Sequence, residues 1–249
     1  MSRIEVILAL DCSTLTLSLA LLRADRTLIE ERRVGPPQRQ SEVLPGEIEK
    51  LLTAHGLTLK QVTGFVVGMG PGSFTGLRIA FSTVKGLAYA LKVPAVGASS
   101  LAALALEALG IDVFSTAVVK KGEFYVGRYC FGIPHPDPLP RGGEGEISLT
   151  LVQLADALKA APDARMIGPA LTDWRAPLEV LGVPASSFLP GPLVPSAAAL
   201  VRLVTMPSTY DEQAIFALEP HYIRGSGAEE NPKFPPLPGV EPKARLKED

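Results

Sequence analysis

The alternation of apolar and polar positions divides the chain into short strand-like and helix-like runs. IEVILAL, Ile4 to Leu10, reads as a buried strand, and TLSLALL, Thr16 to Leu22, as a second. After an Arg-Ala-Asp-Arg turn, Thr27 to Val34 reads as a third strand of mixed polarity. The short links predict an antiparallel meander. Pro36-Pro37 ends it, and Ser41 is placed to cap a helix through Val43, Leu44, Ile48, Leu51 and Leu52, stopped by Gly56. Phe65 to Gly68 is a strand, Gly76 to Leu91 a helix, Pro94 to Val96 a strand, and Ser99 or Ser100 opens a helix to about Leu109. This β-β-β-α-β-α-β-α order predicts a mixed sheet covered by helices. The expected class is α/β, two-lobed and ribonuclease-H-like, as in actin-like ATPases and sugar kinases.

A second lobe is expected over residues 111–224, after a first lobe over 1–110. Asp112 to Val119 and Glu123 to Phe131 read as two strands joined by Lys120-Lys121-Gly122. PHPDPLPRGGEGE, residues 134–146, lacks periodicity and is dense in Pro and Gly; it reads as a mobile inserted loop with no chemistry. A helix is expected from Thr150 or Leu151 to Ala160, a strand from Arg165 to Gly168 and a helix from Ser196 to Thr205. The stretch from Trp174 to Leu193 is punctuated by Pro and gives no clear period. Residues 225–249 are polar and Pro-rich and read as a disordered tail.

Composition narrows the function. The chain has 249 residues, 47% hydrophobic and 20% charged, enough apolar content for a sizeable core. Net charge is −2 with no basic run, which argues against a strong stand-alone nucleic-acid binder. Cys12 and Cys130 are far apart and sit by apolar runs, so reduced thiols are expected. No run approaches the ~20 apolar residues of a membrane span, and the cytoplasm is the expected location.

Two segments can carry chemistry. Asp11-Cys-Ser-Thr14 leaves a buried strand; Asp11 can hold Mg²⁺ through water while Ser13 and Thr14 face a phosphate. The alternative is a strand-ending turn in which Asp11 bonds nearby N–H groups. Gly70-Pro-Gly72-Ser73-Phe-Thr-Gly76 precedes a helix N-terminus, a geometry that suits anions, but it lacks the Lys-Ser/Thr of a P-loop. Its alternative is a structural turn with Ser73 or Thr75 as cap. The helix that follows carries only Arg78 and Lys85 as charges up to Leu91, so it must be covered on more than one face, by its own chain or by another subunit. His55, His135 and His221 have no metal-ligand spacing and support no Ser-His-Asp set.

These residues resemble a known family. ILALDCSTLTLSLALL, SEVLPGEIEKLL, VVGMGPGSFTGLRIAFSTVKGLAYAL, PAVGASSLAALA, VKKGEFYVGRY and the terminal EPHYIR look like the bacterial TsaB proteins, over nearly all of residues 4–224 except the insert. The resemblance implies a non-catalytic subunit that dimerises with TsaD. With TsaE, the pair supports transfer of threonylcarbamoyl from threonylcarbamoyl-AMP to the adenosine beside the anticodon of tRNAs reading ANN codons. It implies no cofactor of its own, with ATP or ADP and a metal in the partner subunits. TsaD-like proteins hold their metal with a His-x-x-x-His pair; the comparable Gln38 to Leu44 has no histidine. Where members often have an Asp-Ala-Arg-like turn, this chain has Val118-Val-Lys-Lys121.

On this reading Asp11, Ser13, Thr14, Gly70, Gly72 and Ser73 are a vestigial nucleotide loop. The partner interface, shared with a competing homodimer, is expected at Val43, Leu44, Glu47, Leu77, Arg78, Ile79, Ala80, Thr83, Val84 and Leu87. The alternative function is an independent ATPase, or an M22-type peptidase, of the same fold.

Overall fold

The structure is a computed structural model and describes residues 5–36, 40–108, 110–120, 122–131, 146–191 and 193–223. It opens with the predicted meander: β1 (Val6–Asp11), β2 (Leu17–Arg23) and β3 (Leu28–Val34). Then follow α1 (Gln40–Thr53), β4 (Val62–Gly68), α2 (Phe74–Leu91), β5 (Ala95–Ala98) and α3 (Ser100–Leu106). The sheet order is β3-β2-β1-β4-β5, with β1 antiparallel to β2 and parallel to β4. This is the ribonuclease-H-like arrangement that the pattern predicts.

β1 is central and every one of its residues is buried, which is why it reads as an unbroken apolar run. Val6, Leu8 and Leu10 share a core with Leu44, Ile48 and Leu51 of α1 and with Ala80, Phe81, Val84 and Ala88 of α2. Ile7 and Ala9 face the other way. The edge strand β3 carries Glu30, Glu31, Arg32 and Arg33, charges that discourage pairing with another chain.

The second sheet has the order β8-β7-β6-β9, from β6 (Asp112–Lys120), β7 (Glu123–Cys130), β8 (Ile147–Thr150), α4 (Leu151–Ala160) and β9 (Arg165–Ile167). Helix α4 starts at a Thr150–Gln153 capping box. Three elements escaped the sequence: β8, α5 (Leu171–Val180) in the Pro-punctuated stretch, and a helix near the C-terminus. Helix α3 stops three residues short of the expected Leu109.

The chain then returns to the first sheet. α6 (Ala197–Leu203) places Ala197, Ala199, Leu200 and Val201 against Ile7, Ala9, Ala20, Leu22 and Val66. Ser18 accepts from the Ala197 N–H at 3.0 Å, and the Ser196 hydroxyl donates to Glu31 at 2.9 Å. α7 (Glu212–Ala217) follows, with Ile215 in the core beneath α2. Among the described residues no helix is long and apolar enough to cross a membrane. The expected tail and residues 134–145 of the expected insert lie outside the described residues.

Candidate functional site

Asp11 ends β1 fully buried. Its Oδ1 accepts from the Ser13 N–H at 2.8 Å and from the Ser13 hydroxyl at 2.6 Å; its Oδ2 accepts from the Ser100 hydroxyl at 2.5 Å. Burial raises its pKa, and these hydrogen bonds only partly offset that. The Thr14 hydroxyl donates to the Thr16 carbonyl at 3.0 Å, and Gln40 Nε2 donates to the Thr14 carbonyl at 2.8 Å. The carboxylate therefore organises its own turn, the second of the two readings of this segment.

The Gly-rich loop lies directly on that turn. The Ser73 N–H donates to the Ser13 carbonyl at 2.7 Å, and the Ser73 hydroxyl caps α2 by accepting from Gly76 N at 3.2 Å. A Cβ on Gly68 would overlap the Asp11 carboxylate, one on Gly72 the Ser13 carbonyl, and one on Gly76 the Cys12 carbonyl. Gly70 has φ +87° and donates its N–H to Ser100 Oγ at 3.0 Å. The structure thus brings Asp11, Ser13, Gly70, Gly72 and Ser73 together, with Thr14 at the rim. The chain itself fills the concavity that these glycines create.

Helix α2 is sorted more sharply than its composition suggests. Gly76, Leu77, Ala80, Phe81, Val84 and Ala88 point inward. This corrects the expected interface: Leu77, Ala80 and Val84, together with Leu44 of α1, are at most 1% exposed and already packed in the chain's own core. The resemblance implied this face, and α2, apolar on most sides, gives no period with which to tell its inner residues from its outer ones. Val43, Glu47, Ile79, Thr83 and Leu87 remain half-buried, and Arg78, Ser82, Gly86 and Ala90 are exposed. A Cβ on Gly86 would meet nothing within 4 Å.

The other flank of α2 is occupied by the C-terminal segment. The Arg78 guanidinium lies 4.0 Å from the Phe74 ring centroid, and Phe74 packs on Tyr222 at 5.1 Å. Lys85 donates to the Phe216 carbonyl at 2.9 Å, and Tyr89 packs on Phe216 at 5.8 Å. Lys92 lies over Tyr89 at 3.9 Å and pairs with Glu212 at 3.7 Å. Arg78 is therefore stacked on a ring instead of standing ready for an anion at the loop.

Sequence reasoning missed Glu146, which it placed in an insert without chemistry. Its side chain is 1% exposed. One carboxylate oxygen accepts from the Ser99 and Tyr129 hydroxyls, and the other is 3.2 Å from Nδ1 of His221. Burial, with Glu146 beside it, pushes the Tyr129 phenol up, so it stays a donor. No local pattern marks such a residue; its partners are 17 to 75 positions away. Cys12 is buried and Cys130 partly so, and burial raises both thiols above their ordinary range. Among the described residues no three His, Cys, Asp or Glu side chains gather as metal ligands.

Comparison with known proteins agrees with this geometry. A family model described as TsaD, tRNA N6-adenosine threonylcarbamoyltransferase, matches residues 37–119. An uncharacterized protein of Mycobacterium tuberculosis is 32% identical over 136 residues, 53% of this chain and 64% of that protein. The tRNA threonylcarbamoyladenosine biosynthesis protein TsaB of Bacillus subtilis is 33% identical over 127 residues, 50% of this chain and 55% of its own. The chain thus spans less than two thirds of the length of these relatives. The crystal structure of a Pseudomonas aeruginosa protein with similarity to peptidase YeaZ superposes with a TM-score of 0.67 at 27% identity. That match covers 88% of this chain and 100% of the other, and so takes in both sheets. By its meander, its GPGSFTGLR loop and helix, and these matches, the chain is similar to the TsaB proteins.

Proposed function

We propose that this chain is a non-catalytic subunit of the machinery that makes threonylcarbamoyladenosine in tRNA. It docks a TsaD protein through the outer face of α1 and α2 and, with TsaE, supports transfer of threonylcarbamoyl from threonylcarbamoyl-AMP. The acceptor is the adenosine beside the anticodon of tRNAs reading ANN codons, and the setting is the cytoplasm. ATP or ADP and the metal belong to the partner subunits. A homodimer of this chain competes for the same face.

The observation that carries this reading is Gly86. An exposed glycine inside an 18-residue helix costs about 1 kcal/mol relative to alanine. Among the described residues nothing lies within 4 Å of a Cβ placed there. Close approach by another helix would use that space, and Ser82, Ala90, Ile79, Thr83 and Leu87 would then line the contact with Val43 and Glu47 of α1. The face is narrower than the sequence suggests, because Leu44, Leu77, Ala80 and Val84 are spent on the core. Closure of the Asp11 turn and the Gly-rich loop on each other supports the non-catalytic half of the reading.

The test is reconstitution of tRNA modification with TsaD and TsaE from the same source. Modification should need this chain and should fail with Gly86→Arg, which adds a large charged group at an open surface position without touching the core. Full activity of the Gly86→Arg protein would remove the α1–α2 face from the mechanism. ATP turnover by the chain alone, abolished by Asp11→Ala, would favour an independent ATPase.

A further inference from the structure

We propose that Glu146 is a latch that fixes how the two sheets meet and holds the C-terminal segment on the Gly-rich loop. Much of the seam between the sheets is apolar. Leu101, Leu104 and Ala105 of α3 pack on Val113, Tyr125 and Ile167 of the second sheet. Apolar burial is non-directional, so such a surface tolerates sliding. Hydrogen bonds to a buried carboxylate are directional, and leaving one of those donors unpaired is costly.

Glu146 receives its donors from three separate segments. Ser99 precedes α3 on the first sheet, Tyr129 lies on β7 of the second, and His221 lies in the segment after α7. Each donor is anchored in turn. Ser99 Oγ accepts from Ala102 N at 3.0 Å and so caps α3. The next residue, Ser100, donates to Asp11 and accepts from Gly70 N. The backbone N–H of His221 donates to the Met69 carbonyl at 2.8 Å. Two consecutive serines thus join two buried carboxylates, Asp11 and Glu146, and the network reaches the loop from which α2 starts. Cutting it at Glu146 frees the C-terminal segment from Met69 and weakens the Phe74–Tyr222 contact beside it. This latch operates in the isolated chain, whether or not α2 meets a partner.

Hydrogen–deuterium exchange on the isolated full chain tests it, comparing wild type with Glu146→Leu and with the milder His221→Ala. In both variants amides in residues 69–73 and 218–223 should exchange at least tenfold faster, while those of β1 and β2 keep wild-type protection. Glu146→Leu should also loosen residues 99–103. If Glu146→Leu does not fold, His221→Ala still reads the loop and the C-terminal segment. Wild-type protection at both segments in every folded variant would overturn the latch. So would an equal loss over β1 and β2, which would make Glu146 a general core contributor.

Discussion

One continuous segment, Met69 to Leu91, contains glycines of two kinds. Gly70, Gly72 and Gly76, like Gly68 just before them, are explained within the chain: each permits a backbone turn, or an approach to Asp11, Cys12 or Ser13 that a side chain would block. Gly86, less than three turns further on, is explained by nothing among the described residues. A glycine whose missing side chain is filled by its own protein reports on folding. One left open on a helix surface, at a cost in helix stability, points outward. On the proposed function, the contrast separates a closed loop from a face that another subunit would use.

The sharpest way to break the contrast is to add a methyl group at each kind of glycine. Gly72→Ala and Gly76→Ala push a Cβ into backbone carbonyls that cannot rotate away. Each should cost about 3 kcal/mol or more, at or beyond the usual range for overpacking, seen as a large drop in the denaturant midpoint. Near-wild-type stability would mean that the loop is not closed on the Asp11 turn. The partner face gives the next largest effect. Thr83→Glu should weaken TsaD binding about a hundredfold, roughly 2.7 kcal/mol, measured by calorimetry, with the melting temperature of the isolated chain nearly unchanged. Ala80→Arg is unsuitable for this purpose, because Ala80 is fully buried and the variant would lose its fold.

Asp11 sharpens the closed side of the comparison. Its folded pKa is raised, chiefly by burial. Its contribution to stability is therefore complete below the ordinary carboxylate pKa of about 4 and is lost as pH rises through the folded value. Asp11→Asn removes that titration. The melting temperature of the variant, relative to wild type, should rise between acid and neutral pH. Parallel pH profiles would show that Asp11 is not buried as described. The smallest effect is at the open glycine: Gly86→Ala should stabilise the isolated chain by up to about 1 kcal/mol, visible as a small rise in denaturant midpoint.

Much of the fold was legible because its strands are simple. β1, β2 and β4 are nearly continuous apolar runs, and α4 announces itself with Thr150 and Gln153. The Asp11 turn and the Gly-rich loop were legible as special segments, since Asx turns and glycines leave local marks. Which residues of α2 face inward was not legible, because small and apolar residues surround that helix on most sides. Leu77, Ala80 and Val84 of α2 could not be sorted from its outer residues for that reason. Glu146 was invisible because its donors come from Ser99, Tyr129 and His221, and no window along the chain contains them. α6 returns to the first sheet through Ser18 and Glu31, a pairing 165 to 179 positions long that no local pattern encodes.

The most direct test of the central claim is light scattering after size exclusion, on this chain mixed with TsaD from the same source, for wild type and Gly86→Arg. Wild type should form a one-to-one complex and Gly86→Arg none, while both chains melt alike. A stable complex with Gly86→Arg, or none with wild type, would contradict the outer face of α2 as the partner surface.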